Sequence, residues 1–457
     1  MSLKSVLQSS DNIKYSVFLK GLSEQTVKRI SHEQKEPKRM LDFRLKSFKI
    51  FKKLQLPSRW PDLSKLHLND IVYYAKPKDT SQSYVNDWKD VPSDIKKKFE
   101  KLGIPDAERK YLAGAGGQYD SLNIYHHIKE QWQAKWVIFE DLPQALHTHE
   151  ALIKKHFMKL VPPTDHAFAA LHGAVWSGGT FIYIPKWVQF DEPLQSYFRM
   201  NTYAGWQFEH TLIILEDNSQ ASYIEWCSAP KYDKASLHAG LVEIYVGKNA
   251  KMKYSSVENW STNTYNLNTK RALLEDNAYM ERVNGNLGSA TTMLYPCSIL
   301  KWDDSKTDML WIAVAGKDQN QDTGCKVIHI GKRTSSHIIS KSISKQGWIS
   351  TYRGIVKIGK NASYAVNHTQ CDALLLDDKS VSNTIPLIDC QNDNSTIAHE
   401  ASAGQIDEGQ LFYLMSRGID KPKAMTMIVN GFFSSVVKKM PLEYAGELNK
   451  LIELEME

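Results

Sequence analysis

The sequence predicts a mainly β fold: a right-handed parallel β-helix (solenoid) over residues 161–400, flanked by an N-terminal mainly helical region, 1–160, and a C-terminal helical domain, 401–457. Three observations carry this. A strand–turn–strand phrase recurs at a nearly fixed interval through the middle of the chain. The apolar spacing on both sides of it is helical. The longest apolar runs are far shorter than the roughly 20 residues a membrane helix needs.

In chain order, Ser23 is placed to cap a short helix reaching His32, and Pro37 to open a second with Leu41, Leu45, Phe48 and Phe51 on one face. Residues 55–95 read as irregular, and further helices are expected near 93–102 and 142–158. The Gly114, Ala115, Gly116, Gly117 stretch reads as a flexible turn without phosphate-loop spacing. From Ala167 the pattern becomes short alternating apolar runs. With Asp217, Gly247, Asp276, Asp304, Gly331 and Gly359 as turn markers, the intervals are 30, 29, 28, 27 and 28 residues. Such units cannot bury their own apolar face and must stack, as a solenoid or else a β-sandwich. The repeat then shortens, with turn signals at 377–380 and 391–394. Past Ser402 helices return. One covers 407–417, a second is capped by Asp420 with Ala424, Met427, Ile428 and Phe432 inward, and a last runs from Pro441 to Met456.

Composition narrows the function. The net charge is +6, and residues 1–60 hold 14 Lys/Arg against 5 Asp/Glu. These charges sit on helix-periodic sequence with few aromatic platforms, so a solvated helical face is expected and nucleic-acid binding is not. Lys4, Ser9, Ser10 and Asp11 interrupt any apolar leader, so a cytoplasmic protein, or one of an organellar stroma, is expected, with no membrane partner. Five cysteines, Cys227, Cys297, Cys325, Cys371 and Cys390, are widely spaced with no C-x-x-C pair. That excludes a disulfide framework and a four-cysteine metal site, so any metal needs mixed ligands or ligands from a second chain.

Residues 354–360 match most of a P-loop, but Asn361 replaces the magnesium-binding Ser/Thr and the stretch alternates like a strand. His399-Glu400 lacks the second His of a zinc-protease helix. The segment NHTQCD, 367–372, sets Cys371 in a strand, and one repeat later come His399 and Glu400. Thiolate, imidazole and carboxylate together suit iron, although a lone strand cysteine is commonly inert packing. Cys227 lies at a strand end before a turn, where a thiol is expected to be accessible.

The runs PPTD (162–165), YFRMN (197–201), QFEHTL (207–212), HIGK (329–332), NHTQCD (367–372), HEA (399–401) and QLFY (410–413), with Arg417-Gly418, resemble the SufB/SufD family of the SUF iron–sulfur assembly system, on its SufB side. The resemblance spans nearly the whole chain from Lys20. It implies a β-helix core, pairing with a SufD-type subunit or a second copy, and docking of a SufC-type ATPase on the C-terminal helices. It also implies a sulfur donor relay of desulfurase with SufE or SufU type, and apo iron–sulfur proteins as recipients. In that pattern Cys227 receives sulfur as persulfide. Arg199, Asn201, Asn259, Trp260 and Lys270 line the sulfur path. Cys371, His399 and Glu400 hold the iron of a transient [4Fe–4S] or [2Fe–2S] cluster, and a reduced flavin belongs to the assembled complex. The chain would then be a scaffold and not itself an enzyme. Glu258 stands where the pattern has Gln, and Ala398 where it has Glu. Two other readings remain: a SufD-like structural partner, and a solenoid enzyme acting on polysaccharide, for which no carboxylate groove is evident.

Overall fold

The computed structural model describes residues 14–56, 62–64, 66–78, 112–200, 206–229, 236–439 and 442–456. The expected helix near 93–102 and Asn201 lie outside them.

The turns set the coil. Asn218, Asn249 and Asn277 adopt left-handed backbone, φ 61°, 55° and 52°, which Asn tolerates better than most side chains. Their amides form a ladder: Asn249 Nδ2 donates to Asn218 Oδ1 at 3.0 Å, and Asn277 Nδ2 to Asn249 Oδ1 at 2.9 Å. Asp304, Arg333 and Tyr364 continue the left-handed turns. Between turns, each strand lies parallel to the one a coil earlier: Lys251 faces Tyr279, and Tyr279 faces Lys306. The result is a parallel β-solenoid of about seven turns with flanking helices.

One wall is a run of parallel strands in the order Leu194–Arg199, Gln220–Ser228, Lys251–Trp260, Tyr279–Gly288, Lys306–Ala315, Ser335–Ser344, Val366–Leu375 and Thr396–Gln405. The opposite wall starts with a corner in each coil, as between Ser236–His238 and Leu241–Val246. Gly240 stands at that corner because a Cβ there would meet Glu209 Oε1 at 2.1 Å. Later the corner straightens. Asn320–His329 pairs first with Thr291–Leu294 and then with Cys297–Leu300 as one ten-residue strand.

Several sequence expectations change. Gly114–Tyr119 is a strand, not a turn; it extends the first wall beside Leu194–Arg199, where a Cβ at Gly114 would meet His127 O at 2.5 Å. Ala167–Val175 is a helix, buried at all nine residues, and with His172 as its one polar side chain it shows neither helical nor strand period. The 142–158 helix breaks at His149 into Leu142–Thr148 and Glu150–His156. The repeat does not shorten: Ser335 faces Val366 and Val366 faces Thr396, so the coil keeps its length. The extra signals at 377–380 and 391–394 are the two opposite turns of one coil.

Ser23 caps Glu24–Glu33 by accepting from the Thr26 amide at 3.0 Å. Lys38–Phe51 packs on Ala167–Val175. At the other end, Lys421–Val437 turns Ala424, Val429, Phe433 and Val436 inward, while Met427 is exposed, so its buried stripe is displaced from the expected one. This helix and Leu442–Met456 fold back onto the outer face of Lys306–Ala315 and Tyr279–Gly288. They therefore leave the last coil uncovered, and Val381–Cys390 and Thr396–Gln405 are mostly exposed. No helix among the described residues is long and apolar enough to cross a membrane.

Candidate functional site

Alternation along a strand sends every second side chain into the lumen. On the first wall, Cys227 faces Glu258, which faces Asn286, then Ala313, Ser342 and Ala373. The neighbouring inward row is Glu225, Ser256, Asn284, Trp311, Ser340 and Cys371. Both cysteines thus face the same interior. Five strand spacings separate their strands, about 24 Å at the usual inter-strand distance.

Cys227 is fully buried, among Phe198, Met200, Ala229 and Trp260, which corrects the expectation of an accessible thiol. The lumen around it is charged. Lys270 Nζ donates to Glu258 Oε1 at 2.7 Å, Ser256 Oγ at 2.9 Å and Glu225 Oε1 at 3.2 Å. Glu258 also accepts from Asn266 at 2.5 Å and Asn268 at 3.3 Å. Its charge is therefore held by Lys270 and two amides, and does not stand free in the lumen. Burial raises the Glu258 pKa, but Lys270 and His238 pull it below the usual value. Burial, then Glu225, Glu209 and Glu258, push the Cys227 thiol far up, with Lys270 opposing. Trp260 joins this group, its ring centroid 4.2 Å from that of His238. Arg199 and Asn259 alternate to the other face of the sheet, where Arg199 Nη1 donates to Ser228 Oγ at 3.0 Å.

At the open end Cys371 Sγ lies 3.5 Å from His399 Nε2. Burial, with the Asp372 charge, raises the Cys371 thiol to about 12, and the Tyr352 hydroxyl offsets part of this. Burial lowers the His399 pKa, which favours the neutral imidazole that ligates metals. Glu400 alternates to the outer face, 3.6 Å from His368 Nε2 and 71% exposed. The fold brings together Cys371 and His399, and does not bring Glu400 to them.

A reactivity pattern follows. At pH 8 a thiol of pKa about 12 is ionised to on the order of one part in ten thousand. Iodoacetamide is expected to label exposed Cys390 first. Cys371 should lag by at least about a hundredfold and gain about tenfold per pH unit. Peptide mass spectrometry reads this; equal labelling of the two at pH 8 would contradict the burial of Cys371.

Sequence reasoning missed Glu209, Glu225, His238 and Asn266. His238 and Asn266 lie on short strands with no motif, and Glu209 was noted only within QFEHTL. Their meeting depends on the corner at Gly240, which a repeat count does not reveal.

Comparison with known proteins agrees with this architecture. Residues 198–432 match the SUF system FeS cluster assembly, SufBD core domain, and residues 119–196 the SufBD protein N-terminal region. The chain is 48% identical over 438 residues to the iron–sulfur cluster assembly protein SufB of Bacillus subtilis (strain 168), covering 96% of this chain and 94% of that one. It is 49% identical, with the same coverage, to iron–sulfur cluster assembly SufBD family proteins of Staphylococcus haemolyticus (strain JCSC1435) and Staphylococcus aureus (strain MRSA252). With a solenoid of matching extent and a cysteine at each end of its lumen, the chain belongs to the SufBD family of iron–sulfur cluster assembly proteins and is of the SufB type.

Proposed function

We propose that this chain is the scaffold on which a transient iron–sulfur cluster is built at Cys371, from sulfur received at Cys227. The observation that carries this reading is the Cys371–His399 pair, 3.5 Å apart at the uncovered end of the solenoid. One thiolate and one imidazole do not complete the ligand shell of a cluster. The remaining ligands come from a facing subunit, a SufD-type chain or a second copy, seated on the exposed last coil. Incomplete ligation suits a site that must release its cluster.

Cys227 attacks the outer sulfur of a donor persulfide. The donor S–S bond breaks, the donor leaves as a thiol, and Cys227 carries the persulfide. The thiol proton has the Glu209–His238 pair as an acceptor within 4.8 Å. Sulfur then moves past Glu258, Lys270 and the Asn284 and Asn286 side chains, and nearer Cys371 past the apolar packing of Met309, Trp311, Ala313 and Ile338. Becoming sulfide takes two electrons per sulfur, which a reductant of the assembled complex, such as a reduced flavin, would supply. The chain hydrolyses nothing itself; ATP hydrolysis belongs to a SufC-type partner docked on the C-terminal helices, where Phe412, Tyr413, Met415 and Met427 are exposed.

Loading with a labelled persulfide donor and mapping by mass spectrometry tests the route. Label should reach Cys227 first and Cys371 later, and Cys227→Ser should keep it from Cys371. Label arriving on Cys371 at the wild-type rate in Cys227→Ser would end this reading.

A further inference from the structure

We propose that Glu209, Cys227 and His238 form a site for a divalent transition-metal cation inside the lumen, separate from Cys371. Their ligating atoms all lie within 4.8 Å of one another, and all three residues are buried. Each arrives from a different element: Cys227 from Gln220–Ser228, His238 from Ser236–His238, and Glu209 from the link between Trp206–Gln207 and His210–Leu215. Local chain geometry alone therefore does not explain their convergence.

The donor set is chemically specific. Thiolate, imidazole and carboxylate favour borderline cations such as ferrous, cobaltous or zinc ions over magnesium or calcium. The outer shell is also in place. His238 Nδ1 meets Asn266 Oδ1 at 3.0 Å, which fixes the ring and leaves Nε2 toward Glu209 and the sulfur. Orienting a ligating imidazole through its other nitrogen is the usual support of a metal site. Asn266 is itself held by Glu258.

A second observation points to a ligand. Glu209 Oε2 is buried without a hydrogen-bond partner, although its other oxygen contacts His238. A buried carboxylate oxygen left unpaired is destabilising, and a cation would satisfy it. A dication that displaced the thiol proton and an imidazolium proton would leave the local charge unchanged.

The consequence reaches the proposed sulfur chemistry, although the site does not depend on it. A cation on Cys227 masks that thiol, so metal and persulfide compete for one sulfur. With a cation in place, Cys227 accepts persulfide only after the cation has left.

Anaerobic titration of the full-length chain with Co²⁺ tests the site. The expected result is one equivalent of Co²⁺ with a near-ultraviolet sulfur-to-cobalt charge-transfer band. The band is lost in Cys227→Ser and retained in Cys371→Ser, and affinity falls at least about tenfold in His238→Asn and Glu209→Gln. X-ray absorption on the Co²⁺-loaded wild type removes dependence on variant folding, and should show one sulfur among nitrogen and oxygen neighbours. A first shell without sulfur, or a band that survives Cys227→Ser and vanishes in Cys371→Ser, would overturn the proposal. Neither outcome bears on whether persulfide sulfur travels from Cys227 to Cys371.

Discussion

Replacing Lys270 by Met is expected to cost about 3–5 kcal/mol of folding stability, because it removes one partner of a buried ion cluster. Lys270 is 1% exposed at its side chain and serves Glu258 at 2.7 Å and Glu225 at 3.2 Å, both as buried as itself. It also lies 5.4 Å from the Tyr254 ring centroid. Met fills a similar volume, so the loss is one of charge and not of packing. Three carboxylates, Glu209, Glu225 and Glu258, would then share the lumen, with His238 and Arg282 as neighbouring cations. Adding Glu258→Gln should recover part of the loss, since one buried charge disappears.

Acid dependence gives the same variant a second signature. Lys270 and His238 hold the folded-state pKa of Glu258 below its ordinary value. That pairing therefore stabilises the fold above the unfolded carboxylate pKa and is lost as pH falls through the folded one. Without Lys270, acid relieves the buried negative charge, so the gap between wild type and Lys270→Met should narrow as pH drops. Urea unfolding followed by circular dichroism at pH 7.5 and pH 5 reads both effects. A Lys270→Met chain as stable as wild type at pH 7.5 would mean that the lumen carboxylates are protonated or hydrated, and the charge network as described would be wrong.

The second large effect is expected at Cys371. Serine preserves the shape but offers a harder, more basic oxygen that holds iron poorly at neutral pH. With His399 3.5 Å from the sulfur as its nearest ligating partner among the described residues, Cys371→Ser should lose cluster binding about tenfold or more. His399→Ala should weaken it less. Glu400→Gln should matter least, because Glu400 projects outward beside His368. Cys227→Ser should leave binding intact when sulfide is supplied directly, since its strand lies five strand spacings away.

Much of this was legible in the sequence. The turn markers gave the coil length because each sits within a few residues of a left-handed turn position that recurs once per coil, Asn218, Asn249, Asn277, Asp304, Arg333 and Tyr364. Ser23 was legible as a cap from its side chain alone. The Cys371–His399 pairing followed from one coil of separation, since parallel register sets Thr369 opposite His399. Other features were hidden for physical reasons. Ala167–Val175 is buried on every face and has only His172 as a polar side chain, so it carries no period. Gly114–Tyr119 looks like a turn because glycine signals both flexibility and close approach, and here it is close approach. The Glu400 side chain could not be placed on the outer face until the register was known. The Glu209–His238 contact needs a corner that occurs only in the early coils.

The most direct measurement is anaerobic reconstitution of the purified full-length chain with ferrous iron and sulfide. Absorbance and iron content per chain would be compared among wild type, Cys371→Ser and Cys227→Ser. The account predicts clusters in wild type and Cys227→Ser and their loss in Cys371→Ser. Equal iron and identical spectra in all three proteins would contradict it, and would move the SufD-like structural-partner reading ahead.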